Sequence, residues 1–212
     1  MSDEGYYTHS RPEVARLVPR TARNVIDVGC ASGALGRGLK RERPGLAVRG
    51  VEPVAEAAEA ARAVLDDVHH GGAEDAPPTS WPPADCVVLA DVLEHLVDPW
   101  AVLRAWRSRV PDGATFVISL PNVTHWTVRR DLLLGHFEYR DEGLLDRTHL
   151  RFFDSAAAVA LVEGAGLRIE RFERVILSRL PDALPSRSPR GRGGPVRAVL
   201  DLVTFQFLMV AR

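Results

Sequence analysis

The chain has 212 residues, 46% hydrophobic and 26% charged, with a net charge of −1, a balance that excludes a disordered chain and gives no whole-molecule attraction to nucleic acid or anionic lipid. No run approaches the roughly 20 apolar residues of a membrane helix, and MSDEGYYTHS lacks the basic-then-apolar order of a secretory signal, so a cytoplasmic protein without a membrane partner is expected. The only cysteines, Cys30 and Cys86, are too few for a stapled scaffold and lack metal-finger spacing, and both read as reduced thiols.

By size the chain is one domain, 1–212. NVIDV (24–28) is a β-branched strand ending at glycine, and ALGRGLKRER after it reads as a helix closed by Pro44-Gly45. The order repeats with strand AVRGVE (47–52) and helix PVAEAAEAARAVL, with Pro53 at its first helical position. VHHGGAEDAPPTSWPPA then holds a short strand and a loop crowded with glycine and proline. DCVVLADV (85–92) is the next buried strand. Asp98 and Pro99 supply the cap and first turn of WAVLRAWRSRV, whose Val102, Leu103, Trp106 and Val110 make one apolar face, and PDG turns the chain into strand ATFVISLP.

An irregular insertion follows, about 122–153, with one short helix around TVRRDLLLG; such segments tend to be binding loops or lids. Asp154 caps SAAAVALVEGAG, which ends at a glycine suited to a left-handed position. Strand LRIERFERVIL, a flexible linker over about 181–196 and a late strand VTFQFLMVA close the chain. Alternating strands and helices of this kind make an α/β fold with a parallel sheet.

The most informative motif is VIDVGCASGALG (25–36): a strand delivers Asp27, then Gly29, into a tight turn, and Gly33 opens the helix. Glycine lets a ligand approach the backbone, and the helix start presents unpaired amides. Such a turn also serves the pyrophosphate of dehydrogenases, or no ligand at all. Glu52, ending the second strand, narrows the choice, because an acid there can accept both hydroxyls of a ribose. With Cys30, Ala31 and Ser32 between the first two glycines, the G-x-G-x-x-G dinucleotide fingerprint is absent and a nicotinamide enzyme is disfavoured.

On these residues the sequence resembles the class I S-adenosylmethionine-dependent methyltransferases, in which D-x-G-x-x-x-G follows the first strand and an acid ends the second. The resemblance implies a Rossmann-like, doubly wound, mostly parallel seven-stranded sheet with an antiparallel last strand and a substrate-binding insertion after strand 5. It implies S-adenosyl-L-methionine as cofactor, with Asp27, Gly29, Cys30, Ala31 and Gly33 around the methionine part. Glu52 would hold the ribose, Pro53 the adenine, Ala73 and Glu74 its exocyclic edge, and Asp91 would face the cofactor from the other side. Ala31 stands where a middle glycine is common and Gly72 where many members carry aspartate, so Glu74 or Asp75 would substitute.

Three further stretches, DVLEHL (91–96), LPNVTHW (120–126) and LLDRTHLRFF (144–153), resemble a bacterial subgroup of small-molecule methyltransferases. If the chain turns helical after Asp91, then Asp91, Glu94 and His95 share one face, with His149 approaching from the insertion. His95 and His149 are the candidate catalytic residues, one of them removing a proton from the acceptor, since imidazole titrates near neutrality. The alternative is a structural network in which Glu94 and His95 pack a helix and Asp146, Arg147 and His149 tie down a loop. Tyr7, Asn122, Trp126 and Arg147 are the expected acceptor contacts; Tyr6 and Phe137 could join them, while Leu150, Phe152 and Phe153 would pack the insertion onto the sheet.

The same residues resemble the metal site of ubiquinone-pathway and small-RNA O-methyltransferases, which implies Glu94, His95 and His149 as ligands of a divalent ion, with Asp91 in place of a glutamate. The expected activity is O-methylation of a small metabolite, a sugar or natural product. N-methylation, a non-catalytic binder of the cofactor and a nucleic-acid methyltransferase are the rivals; a homo-oligomer is compatible with the sequence.

Overall fold

The computed structural model describes residues 11–176 and 195–212. In chain order the elements are α1 (Pro12–Ala15), β1 (Asn24–Val28), α2 (Ala34–Glu42), β2 (Ala47–Glu52), α3 (Ala55–Arg62), β3 (Asp67–His70) and β4 (Cys86–Ala90). A 3-10 turn (Leu93–His95) then precedes α4 (Pro99–Arg109), β5 (Thr115–Pro121), α5 (Trp126–Leu133), α6 (Ser155–Gly164), β6 (Ile169–Val175), α7 (Pro195–Val203) and β7 (Gln206–Ala211). The strands form one seven-stranded sheet in the order β3-β2-β1-β4-β5-β7-β6. β1 to β5 run parallel and β7 runs antiparallel to both β5 and β6. The expected fold class holds, and no described helix is long and apolar enough to cross a membrane.

Strand residues alternate between two cores, as a sheet covered on both faces requires. Ile26, Val28, Val87, Leu89, Phe116, Ile118 and Phe207 pack with Leu103 and Trp106 of α4 and Leu161 of α6. Val25, Cys86, Val88, Val117 and Leu208 face the other way, toward Val14, Leu35, Leu39, Ala58 and Ala61 on α1 to α3. The predicted caps are in place: the Ala101 amide donates to Asp98 Oδ1 (2.9 Å) at α4, and the Ala157 amide donates to Asp154 Oδ1 (2.7 Å) at α6.

Four expectations need correction. α3 starts at Ala55 with Val54 as its cap residue, so Pro53 lies before the helix. Pro195 to Val203 form α7 rather than linker and strand, and the closing strand begins only at Gln206. Asp91 has φ 56°, in the left-handed region, which breaks any helix from Asp91 to His95 and leaves only the 3-10 turn. Leu150 is exposed, so of the apolar residues in LLDRTHLRFF it is Phe153, buried in the core, and Phe152, against Val128, Leu144 and Leu145, that pack. The linker, apart from its overlap with α7, and Tyr6 and Tyr7 lie outside the described residues.

Candidate active site

Because β1, β2 and β4 are parallel neighbours, their carboxyl ends bring the three expected cofactor segments to one edge of the sheet. The turn after β1 is strapped to β2. Gly29 and Cys30 both donate their amides to the Val51 carbonyl (2.8 and 3.1 Å), Ala31 donates to Glu52 Oε2 (2.8 Å), and Gly33 donates to the Cys30 carbonyl (2.9 Å). These turn amides are therefore spent inside the chain, bracing the turn, while the helix that follows starts at Ala34 without a side-chain cap. Glu52 is buried; its other oxygen accepts the Val54 amide (3.0 Å), fixing the carboxylate next to Pro53. Ala31 takes φ 49°, the conformation that favours glycine, at the position where the resemblance places one. Gly29 has φ 72°, and a Cβ there would stand 2.6 Å from Val92 Cγ2, so only glycine lets the turn lie against the β4 loop.

Asp27 is buried under this brace. Loss of solvent pushes its carboxyl up to about 7; Arg11 opposes the rise and Glu52 adds to it. On the β3 side, Trp106 donates its indole N–H to the Ala73 carbonyl (2.7 Å), pinning the loop that carries Ala73 and Glu74. A Cβ on Gly72 would meet Glu74 Oε2 at 2.7 Å, and the Gly72 amide donates to Asp75 Oδ2 (2.8 Å). Both acids thus turn back toward Gly72.

Asp91 sits at the end of β4 in a polar cluster. Its Oδ2 lies 2.6 Å from Arg11 Nη1, and its Oδ1 accepts from Ser119 Oγ (2.6 Å) and Gln206 Nε2 (2.5 Å). Arg11 escaped the sequence reading. Among the described residues it is the guanidinium that meets the acids of this edge, acting on Asp27, Asp91 and Glu94 together. As one of four arginines before the first strand, it carries no local pattern that would mark it.

Beyond Asp91 the 3-10 turn delivers Glu94 and His95. Glu94 is wholly buried and, among the described residues, neither carboxyl oxygen has a hydrogen-bond partner. Burial first, and then Asp91, push its carboxyl well above the usual carboxylate range. The Glu94 carbonyl accepts the amides of Leu150 and Arg151 (2.8 and 2.9 Å), which brings the insertion to the site. The His95 and His149 rings meet edge-on with centroids 4.8 Å apart. Glu94, His95 and His149 each offer a ligand atom within 4.8 Å of the others. Burial, with a smaller contribution from His95, holds His149 below the ordinary imidazole value, which favours its neutral form. Aromatic rings continue outward from His149 to Phe152 (6.4 Å), Phe137 (6.4 Å) and half-exposed Tyr139 (5.5 Å from Phe137).

The expected acceptor contacts fare differently. The Asn122 side chain is fully buried: Nδ2 donates to the carbonyls of Asp201 and Thr204 (both 2.7 Å), and Oδ1 accepts from the Thr124 amide and hydroxyl. That saturates its amide and corrects its assignment from acceptor contact to tether of α7. Arg147 pairs with Asp141 (2.6 Å) in solvent. Trp126 is half-exposed under Arg130, whose guanidinium lies 5.3 Å from the ring centroid. Tyr7 is among the residues not described.

Comparison with known proteins gives the family and the fold. The chain is 26% identical over 183 residues to trans-aconitate 2-methyltransferase of Rhodococcus jostii, covering 81% of this chain and 68% of that one. It is 31% identical over 164 residues to the ubiquinone biosynthesis O-methyltransferase of Xanthomonas axonopodis pv. citri, covering 74% and 66%. The chain thus spans about two thirds of the length of these relatives. A crystal structure of an S-adenosylmethionine-dependent methyltransferase from Mesorhizobium loti has the same fold, with TM-score 0.66, 16% identity and coverage of 95% and 96%. Residues 5–171 match the family described as "Methyltransferase domain", and the chain belongs to that family as a class I S-adenosylmethionine-dependent methyltransferase.

Proposed function

We propose that this enzyme methylates a hydroxyl of a small metabolite, a sugar or another natural product, with His95 and His149 beside the reacting oxygen. The observation that carries the reading is Glu94, a wholly buried carboxyl group without a hydrogen-bond partner among the described residues, set against two imidazoles. An unpaired polar group in that position costs several kcal/mol, and the insertion holds it there through the Glu94 carbonyl. The aromatic wall from His149 to Tyr139 suits an acceptor with an apolar or aromatic body.

In the reaction an oxygen lone pair attacks the methyl carbon and the carbon–sulfur bond breaks toward sulfur. The hydroxyl proton passes to an imidazole, and alignment supplies much of the acceleration. Asp27 would take the ammonium of the methionine part and Arg11 its carboxylate. Glu52 would take the ribose hydroxyls, with Pro53 and Ala73 against the adenine and Glu74 or Asp75 at its exocyclic amine. Asp91 would act through Arg11.

A second reading adds a divalent cation held by Glu94, His95 and His149. The unpartnered carboxylate and two imidazoles fit such an ion, and a mixed nitrogen and oxygen set suits magnesium, manganese or zinc. When bound it would acidify a hydroxyl of the acceptor. Asp91, committed to Arg11, Ser119 and Gln206, stays outside this set. Calorimetry with S-adenosylmethionine and S-adenosylhomocysteine, then product mass with hydroxylated acceptors in chelator and in added manganese, tests both readings. No cofactor binding would sink the first; full turnover in chelator would remove the cation and leave the histidine base.

A further inference from the structure

The loop Leu144 to His149 sets oxygen atoms against Nδ1 of both imidazoles. His95 Nδ1 lies 3.2 Å from the Thr148 carbonyl oxygen and 3.1 Å from Thr148 Oγ1. The single proton of that hydroxyl is already committed, because Thr148 Oγ1 donates to Asp146 Oδ1 at 2.6 Å. The same oxygen accepts the Thr148 amide (2.7 Å). An oxygen that takes both the amide and the hydroxyl of Thr148 acts as an acceptor. Thr148 therefore offers His95 two acceptors and no donor, and Nδ1 must carry the hydrogen. His149 Nδ1 faces the Leu144 carbonyl (3.4 Å), and the same rule applies.

We infer that Asp146, acting through Thr148, is a positioning residue that fixes His95 as the Nδ1–H tautomer, while the Leu144 carbonyl fixes His149 likewise, so that Nε2 of both rings keeps its lone pair for the reacting oxygen. This rests on reading His95 and His149 as the reacting groups. Orienting a functional histidine through its second ring nitrogen is a general device; here both partners lie on one six-residue stretch of the insertion.

The test is ¹⁵N-imidazole NMR of the full chain at pH 8, with the two rings assigned by His95→Gln and His149→Gln. The wild type is expected to show pyrrole-type Nδ1 and pyridine-type Nε2 on both rings. Asp146→Ala frees the Thr148 proton to donate to Nδ1, and His95 should shift to at least half Nε2–H. Adding Thr148→Val to Asp146→Ala removes that donor, leaves the carbonyl, and should restore Nδ1–H. Asp146→Asn keeps an acceptor for Thr148 and should retain the wild-type pattern; it carries the test if the alanine variant does not fold. An Nε2–H signal on His95 in the wild type, an unchanged pattern in folded Asp146→Ala, or its loss in Asp146→Asn would overturn the inference. Cofactor calorimetry on the same samples separates this failure from that of the proposed activity: binding with the wrong tautomer sinks only the inference, and the right tautomer without binding sinks only the activity.

Discussion

Asp27 makes a quantitative link between the fold and the cofactor. In the unfolded chain its carboxyl titrates near the ordinary 3.8, and in the folded chain at about 7. At about 1.4 kcal/mol per pH unit this difference amounts to roughly 4 kcal/mol. The folded state holds the proton longer, so between about pH 4 and 7 it binds more protons than the unfolded state and stability must fall as pH rises. The penalty is absent below the unfolded value and complete above the folded one. Urea unfolding of cofactor-free protein, wild type against Asp27→Asn, isolates this contribution from the other titrating groups. The difference should change by about 1.4 kcal/mol per unit across that window, in favour of the asparagine variant, and flatten above pH 7. A cation placed on Asp27 reverses the preference, so cofactor affinity of the wild type should rise up to about tenfold per unit over the same range. Stability curves that run parallel from pH 4.5 to 8 would show that the carboxyl is not buried without compensation, and the argument would fail.

Other substitutions separate roles that the geometry assigns. Gly29→Ala places a Cβ 2.6 Å from Val92 at φ 72° and should cost about 2–4 kcal/mol in thermal or urea unfolding; a neutral result would mean that the turn can move. Asn122→Ala strips donors from two buried carbonyls and should cost about 2–4 kcal/mol while leaving the acceptor KM unchanged, whereas a raised KM with normal stability would return Asn122 to the acceptor site. Arg11→Ala should erase most of the preference for S-adenosylmethionine over its decarboxylated analogue, about tenfold or more; an unchanged ratio of dissociation constants would free Arg11 from that role.

The sheet was legible because its signals are local. A β-branched run ending at Gly29, the Asp98-Pro99 start of α4 and the Asp154 cap of α6 each declare themselves within a few residues. α7 was missed because the last residues before β7 are apolar in both the helical and the strand period, and the Pro/Gly/Arg-rich stretch upstream drew the boundary too far along. The site was legible in its residue types and less so in its geometry. The left-handed turn at Asp91 is captured by Arg11 just before α1, Ser119 of β5 and Gln206 of β7, which no local pattern connects. Burial of Glu94 without a partner is likewise a tertiary fact, arising where the insertion closes over the 3-10 turn.

That closure explains why charged and large apolar residues interleave in LLDRTHLRFF. The backbone of the stretch is fastened at two places: the Leu150 and Arg151 amides donate to Glu94, and the Phe153 carbonyl accepts the Val123 amide beside the Asn122 bridge. Phe153 anchors one end in the main core, and Leu144 and Leu145 anchor the other against Val128. Between two fixed ends, Asp146, Thr148 and His149 have few conformations left, so their hydrogen bonds can specify a direction without a large entropic cost. An apolar loop would lack the Thr148 hydroxyl that faces His95 and the Asp146 carboxyl group that orients it; a wholly polar one would lack the anchors that hold the Leu144 and Thr148 carbonyls against the rings. The mixture follows from requiring both in ten residues of chain.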